Sequence, residues 1–176
     1  MTDDHTHDDL PTLADAATYF YDVCELWDDE DLDPEDHVAI LHRAFMSSDC
    51  DDLAWLLSEA LGWQAVRMSW TIPEWGFGHH TMVRSPEGRL ADVRGWTDEG
   101  AARDYFSLGA EVVTKLSDVV VDLPVTFDPH PEDEQLGMMV AALKNLGAAP
   151  FDDPDVMAAV DAFVAGLGDE ANPSSP

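Results

Sequence analysis

Apolar residues recur at helical spacing through the first third of the chain and again through its last third. Between them lies a block with strand character. Leu13, Ala17, Phe20, Cys24 and Trp27 fall on one face of a helix predicted from about Thr12 to Trp27. Asp33-Pro34 reads as an N-cap followed by proline at the first helical position. A second helix then runs to about Met46 with Val38, Leu41 and Phe45 inward. Ser47-Ser48-Asp49 break it. Asp49 is the expected cap of a third helix, which starts at Cys50 and runs to Leu61, where Gly62 ends it. Leu53, Leu57 and Leu61 lie on one face below Cys50.

The period then changes. Trp63 to Ile72 is rich in strand formers, Pro73 to Gly78 reads as a loop, and His79 to Arg84 reads as a second strand. Ser85-Pro86-Glu87-Gly88 is a tight turn, with proline at the second position of a type I turn and glycine at the left-handed position that follows. Arg89 to Arg94 is the third strand. Thr97 is placed as the cap of a short helix through Phe106. Val112, Val113, Val119, Val120 and Val121 favour a strand at a sheet edge. Pro131 and Asp153-Pro154 open two final helices. Residues 1–10 and 168–176 are expected to be disordered tails around one domain spanning 11–167. The fold class is therefore α+β, helices packed on a small antiparallel sheet.

Composition limits what such a domain does. With 176 residues and 45% hydrophobic side chains the chain fills one ordinary core. No apolar run approaches the ~20 residues of a membrane span, and the first nine residues lack a signal-peptide pattern. Two cysteines make no disulfide framework, so the cytoplasm is the expected compartment. Acids outnumber bases 37 to 8, for a formal charge of −29. That field repels nucleic acid and anionic lipid. Three readings fit it: a proteome-wide acidic habit, a surface for a basic protein partner, or a mimic of DNA. Many of the acids, among them Asp33, Asp49, Asp51, Asp52 and Asp153, stand where helices start and serve as caps or dipole partners.

Three residues carry candidate chemistry together: Cys50, His80 and Asp92. Only a thiolate is a strong nucleophile, and the positive end of a helix dipole stabilises one. With Ser85 and Arg89 flanking the turn, Met82 faces Asp92. His80 then lies diagonal to Asp92 on one face of the sheet, and His79 points to the other. A carboxylate beside His80 fixes its tautomer. No pair among Cys50, His79, His80 and Asp92 has zinc-site spacing, and no metal or cofactor is expected. Trp75 and Phe77, in the glycine-bearing loop before His80, are candidates for a substrate-cleft wall. Arg94, clustered with Arg84 and Arg89 on the hairpin, is a candidate for drawing in an anionic group.

A cysteine opening a helix (DCDDLAWLLSEALGW), then a strand, then His and Asp on a hairpin (HHTMVRSPEGRLADVRG), resembles the core of the papain-like superfamily, most closely its transglutaminase-like branch. The same stretch is similar to small bacterial and phage proteins with a Cys-helix followed by a "HxxVRxPDGRLxDxRG" hairpin. The resemblance covers Asp49 to Trp96. It implies a papain-like core with Cys50 as nucleophile, His80 as general base and acid, and Asp92 as orienter, with the Cys50 amide in an oxyanion hole. The implied activity is hydrolysis or acyl transfer on an amide or ester through an acyl-thioester. The alternative is a non-catalytic acidic binding protein.

Overall fold

A computed structural model describes residues 11–72, 76–106, 113–118 and 132–171. Residues 1–10 and 172–176 lie outside this set, as do Trp75, Pro131 and the valines at 119–121, whereas residues 168–171, expected to belong to a tail, continue the last helix. The element order is α1 (Leu13–Val23), a 3-10 turn (Leu26–Asp28), α2 (His37–Ser47), α3 (Cys50–Leu61), β1 (Gln64–Ile72), β2 (Gly76–Arg84), β3 (Leu90–Asp92), β4 (Gly95–Thr97), α4 (Glu99–Phe106), β5 (Val113–Asp118), α5 (Glu132–Leu146) and α6 (Pro154–Ala171). The class is α+β, as the sequence pattern predicts.

Caps set the helix starts. Thr12 and Asp15 form a reciprocal capping box at α1. The first helix is shorter than expected: Glu25 turns left-handed at φ 52°, so Leu26 and Trp27 continue in the 3-10 turn. At α2 the cap is Asp36, whose side chain accepts the Ala39 amide at 3.0 Å. Asp33 instead accepts the Glu35 amide one turn earlier. Asp49 precedes α3 as expected, yet its side chain makes no capping bond. It is buried and accepts the Cys24 thiol at 2.7 Å. Gly62 closes α3 at φ 65°, a conformation that costs glycine little.

Five strands form one antiparallel sheet in the order β4-β3-β2-β1-β5. β1 and β2 pair without a bulge from Gln64↔Arg84 to Ile72↔Gly76. The turn at residues 85–88 forms as the sequence predicts, with Ser85 donating to the Arg89 carbonyl and Gly88 at φ 85°. The third extended segment is split: β3 ends at Asp92, and a two-residue turn returns the chain as β4. Gly95 makes that turn possible. Its φ is 95°, and a Cβ there would sit 2.5 Å from the Ala149 carbonyl oxygen, which also accepts the Trp96 amide.

The two sheet faces are covered differently. Val83 and Ala91 join the main core with side chains from α1, α2, α3, α5 and α6, including Phe20, Phe45, Leu56, Leu57 and Met139. Each such fully buried side chain contributes about 2 kcal/mol of apolar burial. Val66, Met68, Met82 and Leu90 form a second cluster on the opposite face, closed by Ala102 of α4. Trp63 stacks on Trp96 at 5.5 Å, and the Arg89 guanidinium lies 4.0 Å from the Trp96 ring centre, tying the end of α3 to β4. Among the described residues, no helix is long and apolar enough to cross a membrane.

Candidate functional site

The α3 helix brings its first turn against the middle of β2. Cys50 is its first residue and is 4% exposed. Asp51, next in the chain, reaches across to both central strands. One of its carboxylate oxygens accepts Arg67 Nη2 at 2.8 Å and the Thr81 hydroxyl. The other accepts His79 Nε2 at 3.2 Å. Arg67 and Thr81 are cross-strand partners in the β1–β2 ladder, and His79 is two residues from Thr81. The three therefore share one face, since side chains alternate along an unbroken strand.

The Cys50 Sγ, an Asp51 carboxylate oxygen and a His79 ring nitrogen all lie within 4.8 Å of one another. Burial pushes the Cys50 thiol up to about 11, with the Asp51 charge adding to it and the Thr81 amide and Arg67 opposing it. Burial also pushes the Asp51 carboxyl up. Bonds from Thr81 and Arg67, with the Arg67 charge, outweigh that and hold it below its ordinary value.

His80 takes the other face. It is 1% exposed, and its neighbour two residues on, Met82, belongs to the cluster of Val66, Met68 and Leu90. Its Nε2 lies 3.4 Å from Asp92 Oδ2. The expected register is correct, because Val83↔Ala91 and Arg84↔Leu90 place Met82 opposite Asp92 and His80 beside it. The expected meeting of Cys50 with His80 is corrected: the histidine beside the sulfur is His79. The physical reason is the face on which α3 starts. Asp51 anchors that start to Arg67 and Thr81, and alternation turns His80 away from them.

Asp92 is held by more than His80. Arg94 donates its backbone amide at 2.9 Å and its Nε at 3.2 Å to Oδ1, and its Nη2 at 2.6 Å to Oδ2. Burial pushes the Asp92 carboxyl up, but the His80 and Arg94 bonds dominate and hold it at about 2. Arg94, the expected anion-drawing residue, is thus placed as the partner of Asp92, with its guanidinium 4.6 Å from the Tyr105 ring centre. Phe77 belongs to β2. On the far side of α3, Gln135 Nε2 spans the Asp49 and Asp52 carboxylates at 3.3 Å each. Burial raises both carboxyls, and at Asp52 the Asp49 charge adds to it.

Sequence reasoning missed Asp51, Arg67, Thr81 and His79 as a group. The signal was present: in the β1–β2 register, Arg67 and Thr81 form a polar pair between Val66–Met82 and Met68–His80, whose side chains turn to the opposite face. Comparison of the chain with protein-family models, with curated proteins and with solved structures yields no match.

Proposed function

We propose that this domain is a thiol hydrolase or acyltransferase acting on an amide or ester, with Cys50 as nucleophile, His79 as general base and acid, and Asp51 as the group that orients His79. The observation that carries this reading is the mutual approach, within 4.8 Å, of the Cys50 sulfur, a His79 ring nitrogen and an Asp51 carboxylate oxygen at the start of a helix. The order of a cysteine helix followed by a histidine strand supports a papain-like, transglutaminase-like core, with the base one residue earlier than the resemblance implies.

The chemistry follows from the resting thiol. With its pKa pushed up to about 11, Cys50 rests as a neutral thiol, and its proton passes to His79 as sulfur attacks the carbonyl carbon. The C–S bond forms, the carbonyl electron pair moves to oxygen, and the Cys50 amide is the donor that the family resemblance implies for that developing charge. Collapse expels the amine or alcohol, which takes the proton from His79. Water or an acceptor amine then attacks the thioester with His79 again as base. Asp51 stabilises the imidazolium at each stage.

A second reading is favoured by the burial of the same thiol. A cysteine that is 4% exposed and titrates near 11 also suits a non-catalytic scaffold whose acidic surface binds a basic protein. Incubation with para-nitrophenyl acetate, followed by peptide mass mapping, separates the two. An acetyl group on Cys50, lost in Cys50→Ala and formed at least tenfold more slowly in His79→Ala, supports the enzyme. No acylation of Cys50, with salt-sensitive retention on an immobilised basic protein, supports the scaffold.

A further inference from the structure

We infer that Cys50, Asp51 and His79 form a binding site for a thiophilic divalent cation, with zinc as the best fit. The inference stands whether or not Cys50 carries acyl transfer, because it rests on donor type and position alone. One thiol, one imidazole and one carboxylate supply the ligand set that zinc takes, at about 2.3 Å to sulfur and about 2.0–2.2 Å to nitrogen and oxygen. Ligand atoms around such an ion are separated by roughly 3.5 Å, by the tetrahedral geometry of those bond lengths. The three atoms already lie within 4.8 Å of one another, so side-chain rotations of about an ångström close the site.

The surroundings are those of a supported site. One Asp51 oxygen is held by Arg67 and Thr81, which fixes the carboxylate while its other oxygen faces His79. His79 is about one-third exposed and Asp51 about one-quarter, so an ion has a path in. Three protein ligands leave a fourth position for water or a competing donor. Binding releases the thiol proton and any proton shared between His79 and Asp51, so affinity rises with pH. The ion also occupies the sulfur lone pair that acyl transfer uses, which makes it an inhibitor of the proposed reaction. Sequence spacing hid the set, because Cys50 and His79 are 29 residues apart and meet only through the α3–β2 packing.

The test is titration of the full chain with Co²⁺ and then Zn²⁺, against a weak chelator that strips loosely held ions from surface acids. The expected result is one ion per chain, a cobalt–thiolate charge-transfer band in the near ultraviolet, and displacement of that band by zinc. Cys24→Ala keeps the band and Cys50→Ser abolishes it. His79→Ala weakens zinc binding about tenfold to a hundredfold, and His80→Ala leaves it unchanged. His5 and His7, which stand among aspartates near the start of the sequence, are other imidazoles with nearby acids, and a double His5→Ala/His7→Ala variant binds as the parent does. Zinc also protects Cys50, and not Cys24, from alkylation, a readout that needs no acyl-transfer activity. The parent spectrum keeps the proposal falsifiable if a variant fails to fold. No thiolate band, a band that survives loss of Cys50, or binding lost only with His5 and His7 overturns it.

Discussion

His79 and His80 are adjacent in the chain and stand on opposite faces of β2, each beside its own aspartate. His79 Nε2 lies 3.2 Å from Asp51, and His80 Nε2 lies 3.4 Å from Asp92. The two pairs differ in surroundings. His79 is about one-third exposed and next to a thiol, while His80 and Asp92 are each about 1% exposed at the side chain. On the proposed reading the first pair serves chemistry and the second structure.

Exchange of the two histidines for alanine should therefore give opposite phenotypes. His79→Ala should retain the urea midpoint and lower the rate of Cys50 acylation at least tenfold. His80→Ala should destabilise the fold by about 3 kcal/mol, because it opens a cavity and removes one partner of a buried carboxylate. Paired urea unfolding curves and acylation rates check this. Equal stability losses from both changes would contradict the assignment of faces.

Thiol reactivity gives a second prediction. A Cys50 thiol titrating near 11 is roughly one part in ten thousand thiolate at pH 7. Alkylation by iodoacetamide should be slow there and rise about tenfold per pH unit until the protein unfolds. Burial, and then the Asp49 charge, push the Cys24 thiol still higher, so Cys50 should label first. Arg67→Ala should slow Cys50 further, since the Arg67 charge favours the thiolate. A flat pH profile, or faster labelling in the Arg67 variant, would count against this electrostatic account.

Gly95 supplies a stability prediction independent of any activity. Its φ of 95° strains an alanine, and the added Cβ would meet the Ala149 carbonyl oxygen at 2.5 Å. The same oxygen accepts the Trp96 amide at 2.7 Å, so backbone cannot yield without losing that bond. Gly95→Ala should cost about 3 kcal/mol by urea unfolding, whereas Gly137→Ala, inside α5 with open space around it, should be neutral or mildly stabilising.

Much of this fold is legible in the sequence because its signals are local. The Pro86 and Gly88 turn, the Gly62 stop and most of the helix faces follow from residues a few positions apart, although Trp27 and Val38, expected on apolar faces, are exposed. The register that sets His80 beside Asp92 follows from the turn. What is not legible is which face of the hairpin α3 meets. Each face of β2 carries both a buried apolar side chain and a histidine, with Met82 in one cluster and Val83 in the other. Periodicity alone cannot choose between them. The choice is made by Asp51 bonding to Arg67 and Thr81, a contact across 16 and 30 residues that no local rule reports. Asp49 is similar: it reads as a cap, yet burial against Cys24 and Gln135 is a tertiary property.

The buried aspartates predict the dependence of stability on pH, with opposite signs. Asp92 has its carboxyl lowered to about 2 from an unfolded value near 3.8. The folded state therefore favours the ionised form. Its contribution, about 2 kcal/mol from a shift of nearly two units, is fully present above the unfolded value and is lost as pH falls toward 2. Asp49 and Asp52 have their carboxyls raised by burial, so the folded state favours their protonated forms. Their ionisation costs stability at neutral pH, and that cost disappears as pH falls through their raised values. Asp92→Asn should be destabilised at pH 7 and should lose less than the parent on acidification from pH 4 to pH 2. Asp49→Asn should gain relative to the parent at pH 7 and lose that advantage in acid. Urea midpoints of the parent and both variants at a series of pH values check the signs together. An Asp92→Asn variant that parallels the parent below pH 4, or an Asp49→Asn variant whose advantage grows in acid, would reverse the assignment of which carboxylate the fold holds ionised.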